Sequence, residues 1–169
     1  MHVYATMAGM HVRRGTDADA HAAATVAERV LREHGLPFDP LGADADLLRP
    51  EASFHSFFVA VDGDRVVGTA ALAVHDDGCG ELRKLFLLSD CRGAGVGRGL
   101  LDAVLDAARS AGLRQVRLLT RDRYDRAIRL YERSGFRPDG AGRHRRDGGL
   151  GPAYVVDLAP TPAPAVAVA

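Results

Sequence analysis

Arg92-Gly93-Ala94-Gly95-Val96-Gly97 is the segment of this sequence whose residue types and spacing point most directly to chemistry. Glycines at alternate positions let successive backbone N–H groups approach one point, and a helix opening from such a loop adds the positive end of its dipole, so the segment suits a phosphate. No Gly-Lys-Ser/Thr follows, which excludes a P-loop, and the preceding strands read as a meander, which argues against a dinucleotide-binding βαβ unit. Taken alone, the loop is equally well a flexible turn. Cys91 lies where a helix N-terminus could activate a thiol, but reads as inert. His34, His55 and His75 have no ligand partner three or four residues away and read as surface or turn residues, not as metal ligands. Arg143-His144-Arg145-Arg146, set among glycines, reads as a solvated basic tip, with a role in binding a substrate as the alternative.

These residues need elements to position them. His11–Arg14 reads as a strand, and Thr16-Asp17-Ala18-Asp19 resembles a capping signal before a helix that carries Val26, Val30 and Leu31 and ends at Gly35. Leu36–Pro50, with its prolines and acids, reads as a loop holding a short helix around Asp44–Leu48. Phe57–Val61 and Val66–Val74 are β-rich and flank a hairpin signal at Asp62-Gly63-Asp64-Arg65; a turn at Asp76-Asp77-Gly78 leads into a third strand, Glu81–Leu88. After the glycine loop, Leu100, Leu101, Val104, Leu105 and Ala108 are helix-spaced up to Gly112. Gln115–Thr120 reads as a strand, Tyr124–Ser134 as a helix, Phe136-Arg137 and Ala153–Leu158 as strands, and Asp139–Gly151 as a long loop.

The chain has 169 residues, 47% of them hydrophobic and 26% charged, which fits one soluble domain with a core of ordinary size. The expected organisation is a disordered extension over 1–9, with Met10 as the natural start, a single domain over 10–159, and a disordered Pro/Ala tail over 160–169. No apolar run is long enough to span a bilayer and no signal-peptide pattern opens the chain, so the expectation is a cytoplasmic protein with no membrane partner. Two cysteines are too few for a disulfide framework. Residues 1–80 carry 6 of the 22 basic residues and 12 of the 22 acidic ones, leaving 16 basic and 10 acidic in the second half. That asymmetry is compatible with a polyanionic ligand there. With 6% aromatics and no tryptophan, no nucleic-acid partner is expected.

In three places the sequence resembles the GNAT superfamily of acyl-CoA-dependent N-acetyltransferases: the family's Arg/Gln-x-x-Gly-x-Gly motif as Arg92–Gly97, the strand before it as Glu81–Leu87, and the late helix as Ala127–Phe136. The resemblance covers His11 to about Leu158. It implies an α/β fold with a mixed, mainly antiparallel sheet of six or seven strands flanked by helices, and transfer of the acetyl group of acetyl-CoA to a primary amine of a small molecule, amino acid or peptide, without a metal. It further implies that main-chain groups of Leu85, Phe86 and Leu87 pair with the pantetheine arm, and that Arg92, Gly93, Ala94, Gly95, Val96, Gly97 and Arg98 hold the pyrophosphate. Tyr131 falls where members place a tyrosine that protonates the departing thiolate. Glu81 falls where histone-acetyltransferase-like members place a carboxylate base, with a water chain as the alternative. Tyr124 departs from the family, which places Asn there against CoA. A homodimer is common among members. The rival reading is a module that binds acyl-CoA without turning it over.

Overall fold

Hydrophobic periodicity decides where this chain pairs and where it coils, and most of the expected elements form. The structure is a computed structural model that describes residues 3–7, 9–140, 143–144 and 150–159, with side chains over 9–140 and 151–159. The strands are β1 (Val3–Met7), β2 (Met10–Arg14), β3 (Ser56–Asp62), β4 (Arg65–Val74), β5 (Cys79–Leu87), β6 (Gln115–Leu119), β7 (Arg137–Pro138), β8 (Arg143–His144), β9 (Leu150–Gly151) and β10 (Ala153–Asp157). The α-helices are α1 (Ala20–Glu33), α2 (Pro50–Ser53), α3 (Val96–Ser110) and α4 (Asp125–Arg133). Short 3-10 turns occupy Asp17–Asp19, Ala45–Leu48 and Ser89–Cys91. No helix among the described residues is long and apolar enough to cross a membrane.

Eight strands form one sheet in the order β1-β2-β3-β4-β5-β6-β10-β7. Every neighbouring pair is antiparallel except β5 with β6, which follows from the crossover through α3. The sheet exceeds the expected six or seven strands because of β1. The first nine residues read as structureless, yet Val3–Met7 pairs with β2 from Val3↔Arg13 to Met7↔Met10. The backbone groups on the outer edge of β2 need partners, and a β-prone Val-Tyr-Ala-Thr-Met segment two residues upstream supplies them. In the long loop after β7, β8 and β9 pair as a two-residue ladder; the rest of the basic cluster and the Pro/Ala tail lie outside the described residues.

Both faces of the sheet are covered, so β3 is buried throughout except at Asp62. Phe57 and Val59 pack with Ala23 and Ala27 of α1 and with Leu47, Phe54 and Ala71. Phe58 and Ala60 face the other way, into the larger cluster built on Leu100, Leu101 and Val104 of α3. At the start of α1, Asp19 accepts from the Thr16 N–H at 2.9 Å and takes a two-pronged contact from Arg13 at 2.9 and 2.7 Å. Arg13 draws the Asp19 carboxyl below the usual carboxylate range.

β5 carries the one irregularity that matters for function. Ala71 pairs with Arg83 but Thr69 pairs with Phe86, so β5 has an extra residue there. Lys84 takes it up with φ at +53°, and it is the one non-glycine residue with positive φ among those described. The Thr69 hydroxyl donates to the Lys84 carbonyl at 2.7 Å and holds the bulge. Because of the extra residue, Arg83 and Lys84 both reach the α1 side, where the acidic loop before α2 receives them. Arg83 pairs with Asp46, and the Lys84 ammonium donates to Asp44 and to the Ala43 carbonyl, each at 2.7 Å. All four charged side chains are 9% exposed.

Removing one partner of a buried pair leaves the other charge without compensation. Asp46→Ala should therefore cost about 3 kcal/mol in urea unfolding, whereas Asp106→Ala, which loses an exposed pair with Arg109, should cost less than about 1 kcal/mol. Equal midpoints for the two variants would contradict the anchoring of this loop by β5.

Candidate active site

The site begins where β5 loses its neighbour. β5 and β6 pair only from Cys79↔Gln115 to Glu81↔Arg117. Beyond Glu81 the two strands part, while β6 stays paired with β10 as far as Leu119↔Ala153. The Leu88 N–H donates to Val67 at 3.0 Å, which makes Gly68 and Leu87 a pair without mutual backbone bonds. The main-chain groups of Leu87 therefore turn away from β4, those of Phe86 turn toward it, and those of Leu85 turn away again. Leu85 and the Leu87 N–H thus present an open strand edge to the wedge, the Leu87 carbonyl being taken by Arg92.

The glycine loop closes one end of the wedge. Gly93 and Gly95 have φ of +87° and +83°, a region that any side chain would strain. Gly95 is also the N-cap of α3, and the first bond of that helix runs from the Gly99 N–H to the Gly95 carbonyl at 3.0 Å. The N–H groups of Val96, Gly97 and Arg98 precede that bond, so the helix itself offers them no acceptor. No acidic residue lies in the first turn and no side chain caps it. The outcome is a cradle of N–H donors at a positive helix end, next to the open edge of β5.

The loop's two arginines both have protein partners in the structure. Arg92 donates from Nε to the Leu87 carbonyl at 3.0 Å and from its terminal nitrogen to Glu33 at 2.7 Å, so its side chain ties the end of β5 to the end of α1. Arg98 is exposed and paired with Asp102 one turn on, at 2.8 Å. Val96 is buried, which leaves its N–H but not its side chain to a ligand. A Cβ on Gly97 would make ordinary contact with Leu130 of α4 and with Leu87, at 3.6 and 3.7 Å. Loop, strand end and α4 therefore meet at one place. Cys91 is buried, and burial with Asp90 beside it pushes its thiol up, consistent with an inert residue.

Tyr131 on α4 is 6% exposed and packs against the rings of Phe136 and Tyr154, with centroids 5.9 and 6.5 Å away. Burial pushes its phenol far above the ordinary tyrosine range, and Tyr124 adds to the effect. Its surroundings thus favour the protonated phenol, which can donate a proton. Tyr124 caps α4 and lies 4.6 Å, ring to ring, from His34 at the end of α1. The last turn of α1 thus reaches the glycine loop through Glu33 and α4 through His34.

Glu81 stands at the last paired position of β5, on the face that carries α1. Tyr131 packs into the cluster on the α3 face. Isolated in sequence, His75 meets Glu81 through its Nε2, 2.8 Å from Oε2. The β4–β5 hairpin would have given the clue: His75 and Glu81 are diagonal neighbours on one face, since Ala73 pairs with Glu81. Among the described residues no group of three His, Cys, Asp or Glu could hold a metal ion.

Comparison with known proteins agrees with this geometry. The family model for the Acetyltransferase (GNAT) family matches residues 23–136, and the chain belongs to that family. Mycothiol acetyltransferase of Geodermatophilus obscurus is 39% identical over 112 residues, covering 63% of this chain and 32% of that protein. The chain therefore spans about a third of that relative. Among solved structures, a GNAT-family acetyltransferase of Staphylococcus aureus Mu50 superposes with a TM-score of 0.76 at 19% identity, covering 89% of this chain and 99% of that one. The PaiA N-acetyltransferase of Thermoplasma acidophilum, in complex with coenzyme A, gives 0.69 at 14% identity, covering 88% and 99%. At these identities the superpositions establish the fold.

The raised phenol of Tyr131 has a consequence for stability. A group whose folded pKa lies above its unfolded value stabilises fully below the unfolded value, and that contribution is lost as pH rises toward the folded one. Between about pH 9 and about pH 11, where free tyrosine ionises, wild type should lose more urea stability than Tyr131→Phe. Parallel losses in the two proteins would mean that the phenol is not held in its neutral form by the fold.

Proposed function

We propose that this protein is an N-acetyltransferase that moves the acetyl group of acetyl-CoA to a primary amine of a small molecule, amino acid or peptide. The observation that carries this reading is the continuity of two open donor surfaces: the free amides at the start of α3 and the unpaired edge of β5 at Leu85 and Leu87. A pyrophosphate suits the first, because its charge meets N–H groups and a helix N-terminus with no competing acid. An extended arm bearing amides suits the second, because it completes a strand edge. Bound acetyl-CoA supplies an activated thioester. Within the wedge, the amides of Gly93 to Arg98 orient it and the main chain of Leu85 and Leu87 holds its arm.

Two side chains then handle protons. The acceptor arrives as an ammonium and must lose a proton before its nitrogen can attack; Glu81, at the mouth of the wedge, is the group assigned to take it. Tyr131, kept protonated by its apolar surroundings, is assigned to give a proton to the sulfur that leaves. The arrangement needs no covalent acyl-enzyme, since the amine nitrogen attacks the thioester carbon directly.

Ala94→Asp adds negative charge beside the phosphate cradle without the strain that a side chain at Gly95 would bring. Calorimetry should show acetyl-CoA affinity lost in Ala94→Asp and in a folded Gly95→Asp, and unchanged affinity in both would remove the site. Tyr131→Phe should lower kcat roughly ten-fold to a thousand-fold with acetyl-CoA affinity nearly unchanged; an undiminished kcat, with chemistry rate-limiting, would return Tyr131 to packing. CoA thiol release across amino acids, polyamines, aminoglycosides and peptides identifies the acceptor. Tight acetyl-CoA binding without release for any amine would favour a binding module over an enzyme.

A further inference from the structure

We infer that His75 and Glu81 form one proton-accepting unit, in which Glu81 faces the acceptor amine and His75 carries the proton on to solvent. This rests on the transferase reading and assigns His75 a role acting through Glu81. Glu81 Oε2 and His75 Nε2 are 2.8 Å apart, and their side chains are 21% and 39% exposed. The imidazole is thus the more solvent-accessible member and the carboxylate the more enclosed one.

The turn beneath the pair is rigidly built. His75 donates its N–H to Cys79 at 3.0 Å and accepts from Gly78 at 3.1 Å, while Asp77 accepts from the Cys79 N–H at 3.0 Å. Among the described residues, the cations beside Glu81 on β5 and β6 have acids of their own. Arg117, its register partner on β6, pairs with Asp77 at 3.2 Å. Arg83, two residues along the strand, pairs with Asp46, and Lys84 pairs with Asp44 at 2.7 Å and Asp46 at 3.2 Å. Among the described residues, Glu81 meets the His75 imidazole. A carboxylate clamped by a guanidinium stays ionised and is a poor base, whereas an imidazole can take a proton from a protonated carboxyl at one ring nitrogen and release one to water from the other.

The proton count closes. The acceptor ammonium carries three protons on nitrogen. One passes to the Glu81–His75 unit and leaves to water from the imidazole; the freed lone pair forms the N–C bond as the C–S bond breaks with its electrons on sulfur. Tyr131 gives its proton to that sulfur and is restored by the second amine proton, and the third remains on the amide product. Nothing is oxidised or reduced, and no co-reactant is required.

The test uses the full chain, acetyl-CoA and whichever amine gives the fastest thiol release. His75→Ala should lower kcat at least roughly ten-fold, with acetyl-CoA affinity and amine KM within about two-fold, and added imidazole should restore the rate in a saturable way. His75→Gln keeps a hydrogen bond to Glu81 but cannot carry the proton, so it should be as slow as His75→Ala. Full activity in His75→Ala alongside an inactive Glu81→Gln would overturn this inference and leave the base assignment standing. Full activity in Glu81→Gln would overturn both. Loss of activity without imidazole rescue, or with equal loss of acetyl-CoA affinity, would make His75 structural and overturn its role. No thiol release with any amine would remove the transferase reading and this inference with it.

Discussion

The parting of β5 from β6 after Glu81 is the constraint on which the rest of this structure depends. Inside a sheet, strand edges are paired, and an open edge within covered layers leaves backbone groups in need of partners. Here the two strands share three register pairs and then diverge, while each stays bound to its outer neighbour. The wedge is therefore framed by two intact ladders and not by loops. α3 starts at its open end, which puts the helix N-terminus beside the strand edge.

Holding β5 on that course has a local cost. A lysine in the left-handed region is disfavoured by about 1–2 kcal/mol, and two buried cations need acids beside them. The loop between α1 and α2 supplies Asp44 and Asp46, so the strain at Lys84 is offset by charge-assisted contacts to the backbone and side chains of that loop. One bulge does three things at once. It keeps Arg83 and Lys84 on the α1 face, fixes the loop beside the mouth of the wedge, and removes from Glu81 the cations that would otherwise neutralise it. At the other end, Arg92 joins the Leu87 carbonyl to Glu33, so α1 is fixed to both ends of the functional stretch of β5.

Much of this was legible in the sequence, for physical reasons that can be named. The hairpin signals, the helix-spaced run from Leu100 to Ala108 and the glycine loop at a strand-to-helix junction are local, and local signals survive in one dimension. β1 was not legible, because Val3–Met7 becomes a strand only through the free edge of β2. The bulge was invisible for a similar reason: Lys84 enters the left-handed region because of tertiary partners, not because of its own preference. Arg92 belongs to the loop motif, but that its side chain bridges β5 and α1 depends on tertiary partners the motif does not name. His75 read as an isolated turn residue; its meeting with Glu81 depends on hairpin register, which the turn Asp76-Asp77-Gly78 implied without stating the pairs.

The central claim is that the amides of the glycine loop and the open edge of β5 form one continuous acetyl-CoA surface. Amide hydrogen exchange with and without acetyl-CoA tests it most directly. The account predicts that slowing concentrates at residues 93–98 and at Leu85 and Leu87, with the Phe86 amide, already bonded to β4, changing little. Unchanged exchange at these amides in the presence of saturating acetyl-CoA, or slowing centred on another part of the sheet, would contradict it.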